Sequence, residues 1–103
     1  MEIHFKNSYL EKLYADLPIT GKPKYSNDVI IKFRKKIVLL ENIESSKDLK
    51  NYKSLNFEAL KGDKKGLYSI RVDLKYRLEF SIEKDNIILH EIILIQDLSN
   101  HYK

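Results

Sequence analysis

Arg71 and Arg77 lie on either side of a predicted turn, and each carries a planar guanidinium fork that can grip two phosphate oxygens at once. Both fall in the segment Lys47 to Arg77, which holds nine Lys or Arg against four Asp or Glu. The rest of the chain holds ten against eleven, so the positive excess behind the net charge of +4 sits in this one segment. Such a patch collects a polyanion by counterion release and electrostatic steering; the alternative is a solvated basic surface that serves solubility. His101 brings a side chain that titrates near neutrality and so can give or take a proton. Beside it, Tyr102 can do the same or stack on a base, unless both belong to a frayed tail. His90 lies in an apolar run and reads as a core histidine, and His4 reads as part of an edge strand. The three histidines have no H-x-x-H spacing and there is no cysteine, so neither a metal site nor a thiol nucleophile is expected. The three glycines form no phosphate-cradling loop and no G-x-S-x-G elbow, and no cofactor is expected.

A chain of 103 residues implies a single domain over 1–103 with one modest core. The first residues, MEIHFKNSYLEK, lack the apolar run of a secretory signal. The longest apolar stretch, Ile87 to Ile95, is interrupted by His90 and Glu91 and is too short to span a bilayer. No membrane association and a cytoplasmic location are therefore expected.

The positioning elements follow from periodicity. Glu2–Phe5 alternates polar and apolar residues as a short strand does. A helix is predicted at about residues 9–17: Ser8 and Glu11 have capping-box spacing, Leu10, Leu13, Tyr14 and Leu17 form a stripe, and Pro18 ends it. After a turn around Gly21 and Pro23, a second helix is predicted from Asn27 to Asn42, burying Val29, Ile30, Phe33, Ile37 and Leu40. Ser45 and Asp48 predict one more short helix, running through Tyr52. From residue 66 the period drops to 2, predicting strands around Tyr68–Val72 and Arg77–Ile82, with a central strand at Asn86–Ile95. The order β-α-α-β-β-β implies an α+β fold, a helical hairpin packed on a small antiparallel sheet.

Facing restricts the register of the Arg71–Arg77 hairpin. A three-residue connection, Leu74–Lys75–Tyr76, would set Val72 beside Leu78 and Ile70 beside Phe80 on the core side. On the other side Arg71 would then meet Glu79, and Asp73 would meet Arg77. A slip of two residues keeps the facing but sets Arg71 against Arg77, which costs cross-strand repulsion. Ion pairing within the hairpin and a phosphate clamp are thus alternative uses of the same arginines.

The run LNFEALKGDKKGLYSIRV at residues 55–72, followed by Tyr76-Arg77 and then Leu78-Glu79-Phe80, resembles the central signature of HigB-like toxins of the RelE/ParE superfamily. The ending Leu98-Ser99-Asn100-His101-Tyr102-Lys103 is similar to that of one sub-branch. The resemblance implies a RelE-like fold that cleaves messenger RNA, usually on the translating ribosome, and a cognate antitoxin, commonly of helix-turn-helix type. It places Lys61 and Arg77 on the active surface and points to His101 or Tyr102 as a further catalytic group. Two departures stand out: Glu58 occupies a position where some relatives have His, and the chain continues past His101.

Metal-free RNA cleavage uses the substrate's own 2′-hydroxyl. The tasks are to remove its proton, to neutralise the phosphorane and to protonate the leaving 5′-oxygen. On that chemistry Arg77, helped by Arg71, is expected to stabilise the phosphorane. Lys61 is expected to bind phosphate or assist proton removal, His101 or Tyr102 to act as the acid, and Lys64 and Lys65 to collect RNA. Glu58 is a candidate base or a plain surface carboxylate. The competing functions are a ParE-like inhibitor of DNA gyrase and a non-catalytic module that only binds the antitoxin.

Overall fold

The protein is described by a computed structural model covering residues 1–87 and 90–100. Strand β1 (Glu2–Phe5) is followed by helices α1 (Ser8–Tyr14) and α2 (Asn27–Asn42) and by a short 3₁₀ segment at Ser46–Asn51. Strands β2 (Glu58–Ala59), β3 (Tyr68–Arg71), β4 (Arg77–Asp85) and β5 (His90–Ser99) complete the order. The expected α+β architecture is present. The sheet is mixed rather than wholly antiparallel: its order is β1-β5-β4-β3-β2, and β1 runs parallel to β5. β2, only two residues long, was not foreseen; it extends the far edge beyond β3.

α2 forms over the predicted residues. Ser26 caps it by accepting the Val29 amide at 3.3 Å, and Val29, Phe33, Ile37 and Leu40 are its buried face. α1 is shifted and shorter than predicted. Asn7, not Ser8, is its cap, accepting the Leu10 amide at 3.1 Å. The helix stops before Pro18 because Asp16 adopts the left-handed conformation (φ 57°), which Asp tolerates better than most residues. Asp16 N then bonds Leu13 O and Leu17 N bonds Lys12 O, a Schellman closure that leaves Leu17 exposed. Arg34 of α2 ties the hairpin together, donating from Nε to Leu13 O at 2.8 Å and from Nη2 to Asp16 at 3.2 Å.

Leu10, Leu13, Val29, Phe33, Ile37 and Leu40 of the helices pack with Ile70, Leu78, Phe80, Ile93, Ile95 and Leu98 of the sheet in one core. Both helices therefore cover the same face of the sheet, and the opposite face is available for other work. β5 is an interior strand between β1 and β4, in keeping with its apolar run, but spans His90–Ser99 rather than Asn86–Ile95. Asn86 and Ile87 belong to the turn instead, where Asp85 Oδ1 accepts the Ile87 amide at 2.8 Å. His90 is accordingly no core histidine: it opens β5 half-buried, with Nε2 3.4 Å from the Glu2 carboxylate. His4, on edge strand β1 as expected, bonds the same carboxylate at 2.5 Å.

The β3–β4 register differs from the preferred one. Ile70 faces Leu78 and Arg71 faces Arg77, which is the slip by two that like-charge repulsion argued against. Asp73 supplies the reason. Its Oδ1 accepts the amides of Lys75 at 2.8 Å and Tyr76 at 2.7 Å, while Val72 N reaches Tyr76 O at 2.9 Å. Hydrogen bonds to a charged acceptor contribute about 1.5–3 kcal/mol each, whereas a cross-strand pair is worth about 0.2–1 kcal/mol. The turn wins.

On the helical side, Glu91 of β5 pins the 3₁₀ segment by accepting from the Ser46 amide at 2.8 Å, the Ser45 hydroxyl at 3.2 Å and the Ser46 hydroxyl. Burial pushes this carboxyl up, but those hydrogen bonds, with Lys84 nearby, hold it on balance below its ordinary value of 4.5. A lowered folded value stabilises the fold above the ordinary one, and that contribution is lost as pH falls through the lowered value. In acid titrations followed by circular dichroism, Glu91→Gln should therefore be destabilised at neutral pH yet lose less further stability than the wild type below pH 4.5. Asp73→Ala, which removes the acceptor for two amides, should lower unfolding stability by about 1–3 kcal/mol in urea melts. Loss of hydrogen-exchange protection should be greatest at Val72 and Tyr76.

Candidate functional site

The sheet face turned away from the helices carries polar rows dictated by the register. Glu58, Ser69, Glu79 and Asp97 are successive cross-strand partners in one row, and Arg71, Arg77 and Ser99 form the next. Four of these are almost fully buried although they are not in the core: Ser69 at 0%, Glu79 at 1%, Ser99 at 3% and Arg77 at 7% exposure. Polar groups tolerate such burial only when hydrogen-bonded or ion-paired, and the partners here are specific. Arg77 donates from Nε to Ser69 Oγ at 2.8 Å and from Nη2 to the Asn56 carbonyl, with Ser69 O at 3.4 Å. The Glu58 carboxylate stands 3.8 Å from the same nitrogen, its side chain 58% exposed. Glu79 is held by Lys64 Nζ at 2.8 Å.

The expected hairpin ion pairs, Arg71 with Glu79 and Asp73 with Arg77, are therefore replaced. Asp73 closes the turn and Glu79 takes Lys64, so neither arginine meets its anticipated carboxylate. Arg77 is sunk beneath the surface, while Arg71, directly across from it, is exposed.

Asn56 joins the two arginines. It sits in the left-handed region (φ 45°, ψ 54°) just after the 3₁₀ turn Lys53–Leu55, a conformation that Asn accepts and most residues do not. Arg77 fixes its main chain. With its carboxamide turned so that the oxygen faces Arg71, Asn56 Oδ1 accepts from both terminal guanidinium nitrogens, at 2.9 and 3.3 Å. Asn56 was not foreseen as a site residue. A single Asn after an apolar Leu carries no chemical signature, and its importance comes from the backbone angle that Arg77 pins.

Of the predicted residues, Arg71 and Arg77 come together and Lys64 joins the same face through Glu79. Lys61 is exposed just before the 3₁₀ turn Gly62–Lys64, in a loop closed by Leu60 N bonding Leu67 O at 2.9 Å, and Lys65 is exposed just after it. His101 and Tyr102 lie outside the described residues. The strand that leads to them ends at Ser99, the cross-strand partner of Arg77. Tyr25 anchors that end, donating its hydroxyl to Leu98 O at 2.8 Å. Burial, with smaller contributions from Asp97, Tyr76 and Tyr9, pushes the Tyr25 phenol up to about 12, so it remains a neutral donor at physiological pH.

Two open grooves flank the arginine face. One, of about 690 Å³, runs between the start of α2 and the β3–β4 turn and is lined by Lys32, Arg71, Lys75, Tyr76 and Asn100 among others. The second, of about 510 Å³, is lined by Lys50, Tyr52, Lys53, Asn56 and Phe57. Among the described residues, no group of three or more His, Cys, Asp or Glu side chains is placed to hold a metal ion, and no helix is long and apolar enough to cross a membrane.

No curated protein sequence matches the chain. Among solved structures, it resembles a YoeB/ParE toxin from Agrobacterium tumefaciens, with a TM-score of 0.57 and 15% identity over 99% of this chain and 100% of that one. It also resembles YafQ from E. coli strain BL21(DE3), with a TM-score of 0.61 and 13% identity over 97% of this chain and 92% of the other. At such identities these likenesses establish the fold. Residues 3–93 match the HigB-like toxin family, described as the RelE-like toxin of the type II toxin–antitoxin system HigB. The match covers most of the sequence, and the chain belongs to the HigB-like family of RelE-like type II toxins.

Proposed function

We propose that this toxin is a metal-independent endoribonuclease that cleaves messenger RNA on the ribosome and is held inactive by a helix-turn-helix antitoxin. The observation that supports the reading is the opposition of Arg71 to Arg77 across β3 and β4, with Arg77 held by Ser69, Asn56 and, at 3.8 Å, the exposed Glu58, and with Arg71 on the Asn56 carboxamide. Like charges placed face to face are unfavourable in an isolated hairpin. A phosphate over them turns that cost into binding.

In this mechanism the exposed Arg71 fork contacts the scissile phosphate, and the buried Arg77 holds the floor beneath it and adds positive potential to the phosphorane. Glu58, exposed and beside Arg77, takes the proton of the 2′-hydroxyl. The 2′-oxygen bonds to phosphorus as the bond to the 5′-oxygen breaks, leaving a 2′,3′-cyclic phosphate. His101 or Tyr102, two and three positions after Ser99 in the sequence, protonates the departing 5′-oxygen. Lys61 and Lys65 attract the flanking phosphates, and Lys64 contributes charge from its place beside Glu79.

Induced expression with messenger cleavage mapped by primer extension tests the reading. New 5′ ends within translated messages are expected; intact messages accompanied by DNA breaks would instead indicate gyrase poisoning. Arg71→Ala should lower cleavage by about 10²–10³-fold while leaving the melting temperature nearly unchanged, since its side chain is exposed. Glu58→Gln should slow cleavage by about 10²–10⁴-fold with RNA binding retained. Full activity in both variants would eliminate these assignments.

A further inference from the structure

The groove beside Asn56 is not used by the chemistry above, and its lining has the composition of a single-strand nucleic-acid site. Lys50, Tyr52 and Lys53 come from the end of one 3₁₀ segment and the start of the next, and Asn56 and Phe57 close the opposite wall. Among the described residues no acidic side chain lines it, and both lysines are exposed. Tyr52 is 41% exposed, so part of its ring is open to solvent between the two lysines in sequence. Phe57 is different: it stacks on Tyr68 with centroids 5.4 Å apart, so it forms a fixed wall and not a free platform.

Asn56 links this groove to the scissile-phosphate position. The residue lines the groove, its backbone is pinned by Arg77, and its carboxamide reaches the Arg71 fork. Arg71 in turn lines the larger groove with Lys75, Lys32, Tyr76 and Asp73, whose carboxylate is taken up by the turn amides. Cation and aromatic ring recur in both grooves. Asn56 is thus the shared wall between the Arg71 fork and the groove of Tyr52, Lys50 and Lys53.

We infer that the Lys50–Tyr52–Lys53 groove is a subsite for an unpaired nucleotide of the RNA next to the cleaved phosphate. Tyr52 offers the stacking face and the two lysines hold the adjoining phosphates. Stacking on an aromatic ring is tolerant of base identity, and lysines bind phosphate as point charges, so the subsite adds affinity with little sequence preference. The inference rests on the ribonuclease reading and names where its substrate continues.

The test is binding of a fluorescent, unstructured 12-nucleotide RNA, measured by anisotropy across a salt series, with wild type, Tyr52→Ala, Tyr52→Phe and the double variant Lys50→Ala/Lys53→Ala. All the altered side chains are exposed, and thermal melts confirm that each variant is folded. Tyr52→Ala should weaken binding about tenfold with the salt slope unchanged, and Tyr52→Phe should restore it. The lysine pair should reduce the slope of log K against log salt by about 1.4, the share of two phosphates on a single strand. Wild-type binding together with an unchanged slope in the lysine pair, or with unchanged affinity in Tyr52→Ala, overturns the subsite and leaves the ribonuclease reading standing. Absence of salt-dependent RNA binding by the wild type, with Arg71→Ala indistinguishable from it, overturns the subsite; if induced expression also leaves messages intact, the ribonuclease reading falls with it.

Discussion

The Asp73 carboxylate accepts the amides of Lys75 and Tyr76, and that turn decides which residues of β3 and β4 face one another. Because side chains alternate across a strand, a slip of two residues leaves the core face apolar but re-pairs every group on the other face. With Asp73 committed to the turn, Arg77 is directed to Ser69 and Asn56, and Arg71 is set opposite it. A local backbone requirement thus sets two arginines face to face, an arrangement that pairwise charge matching along the hairpin would have avoided.

The polar face is built as a layer with its own interior. Ser69, Arg77, Glu79 and Ser99 are buried, and the described partners of the first three come from segments outside the regular sheet as well as within it. Lys64 arrives from the loop before β3, and Asn56 from the 3₁₀ turn before β2. Removing one member leaves a buried charge or donor without its partner, which is costly, so the layer is rigid as well as polar. Arg71 and Glu58 are exposed above this layer, and Lys61 and Lys65 are exposed on the loop before β3.

Division of labour between the two faces of the sheet explains how a small chain carries both a core and a site. One face takes all the helical packing through Phe33, Ile37 and Leu40. The other need not contribute apolar burial and can hold charge. Membership of the HigB-like toxin family fits this economy, since the family match spans both halves of the fold.

Helix α2 was legible over its full length, because its apolar stripe from Val29 to Leu40 keeps one helical face throughout. The strand alternation and the helices-on-one-face arrangement were legible for the same reason: periodicity is a local property. The end of α1 was not, because a left-handed Asp16 stopped it before Pro18 could. The parallel pairing of β1 with β5 depends on residues some ninety positions apart, which no local pattern encodes. At the site, the residue types that bind phosphate could be named from Arg71, Arg77 and the basic segment around them. Which arginine is buried, which carboxylate pairs with which cation, and that Asn56 stands between the two arginines were settled only in three dimensions. Register and backbone angle set those contacts, and both follow from competition among whole segments, not from the preference of any one side chain.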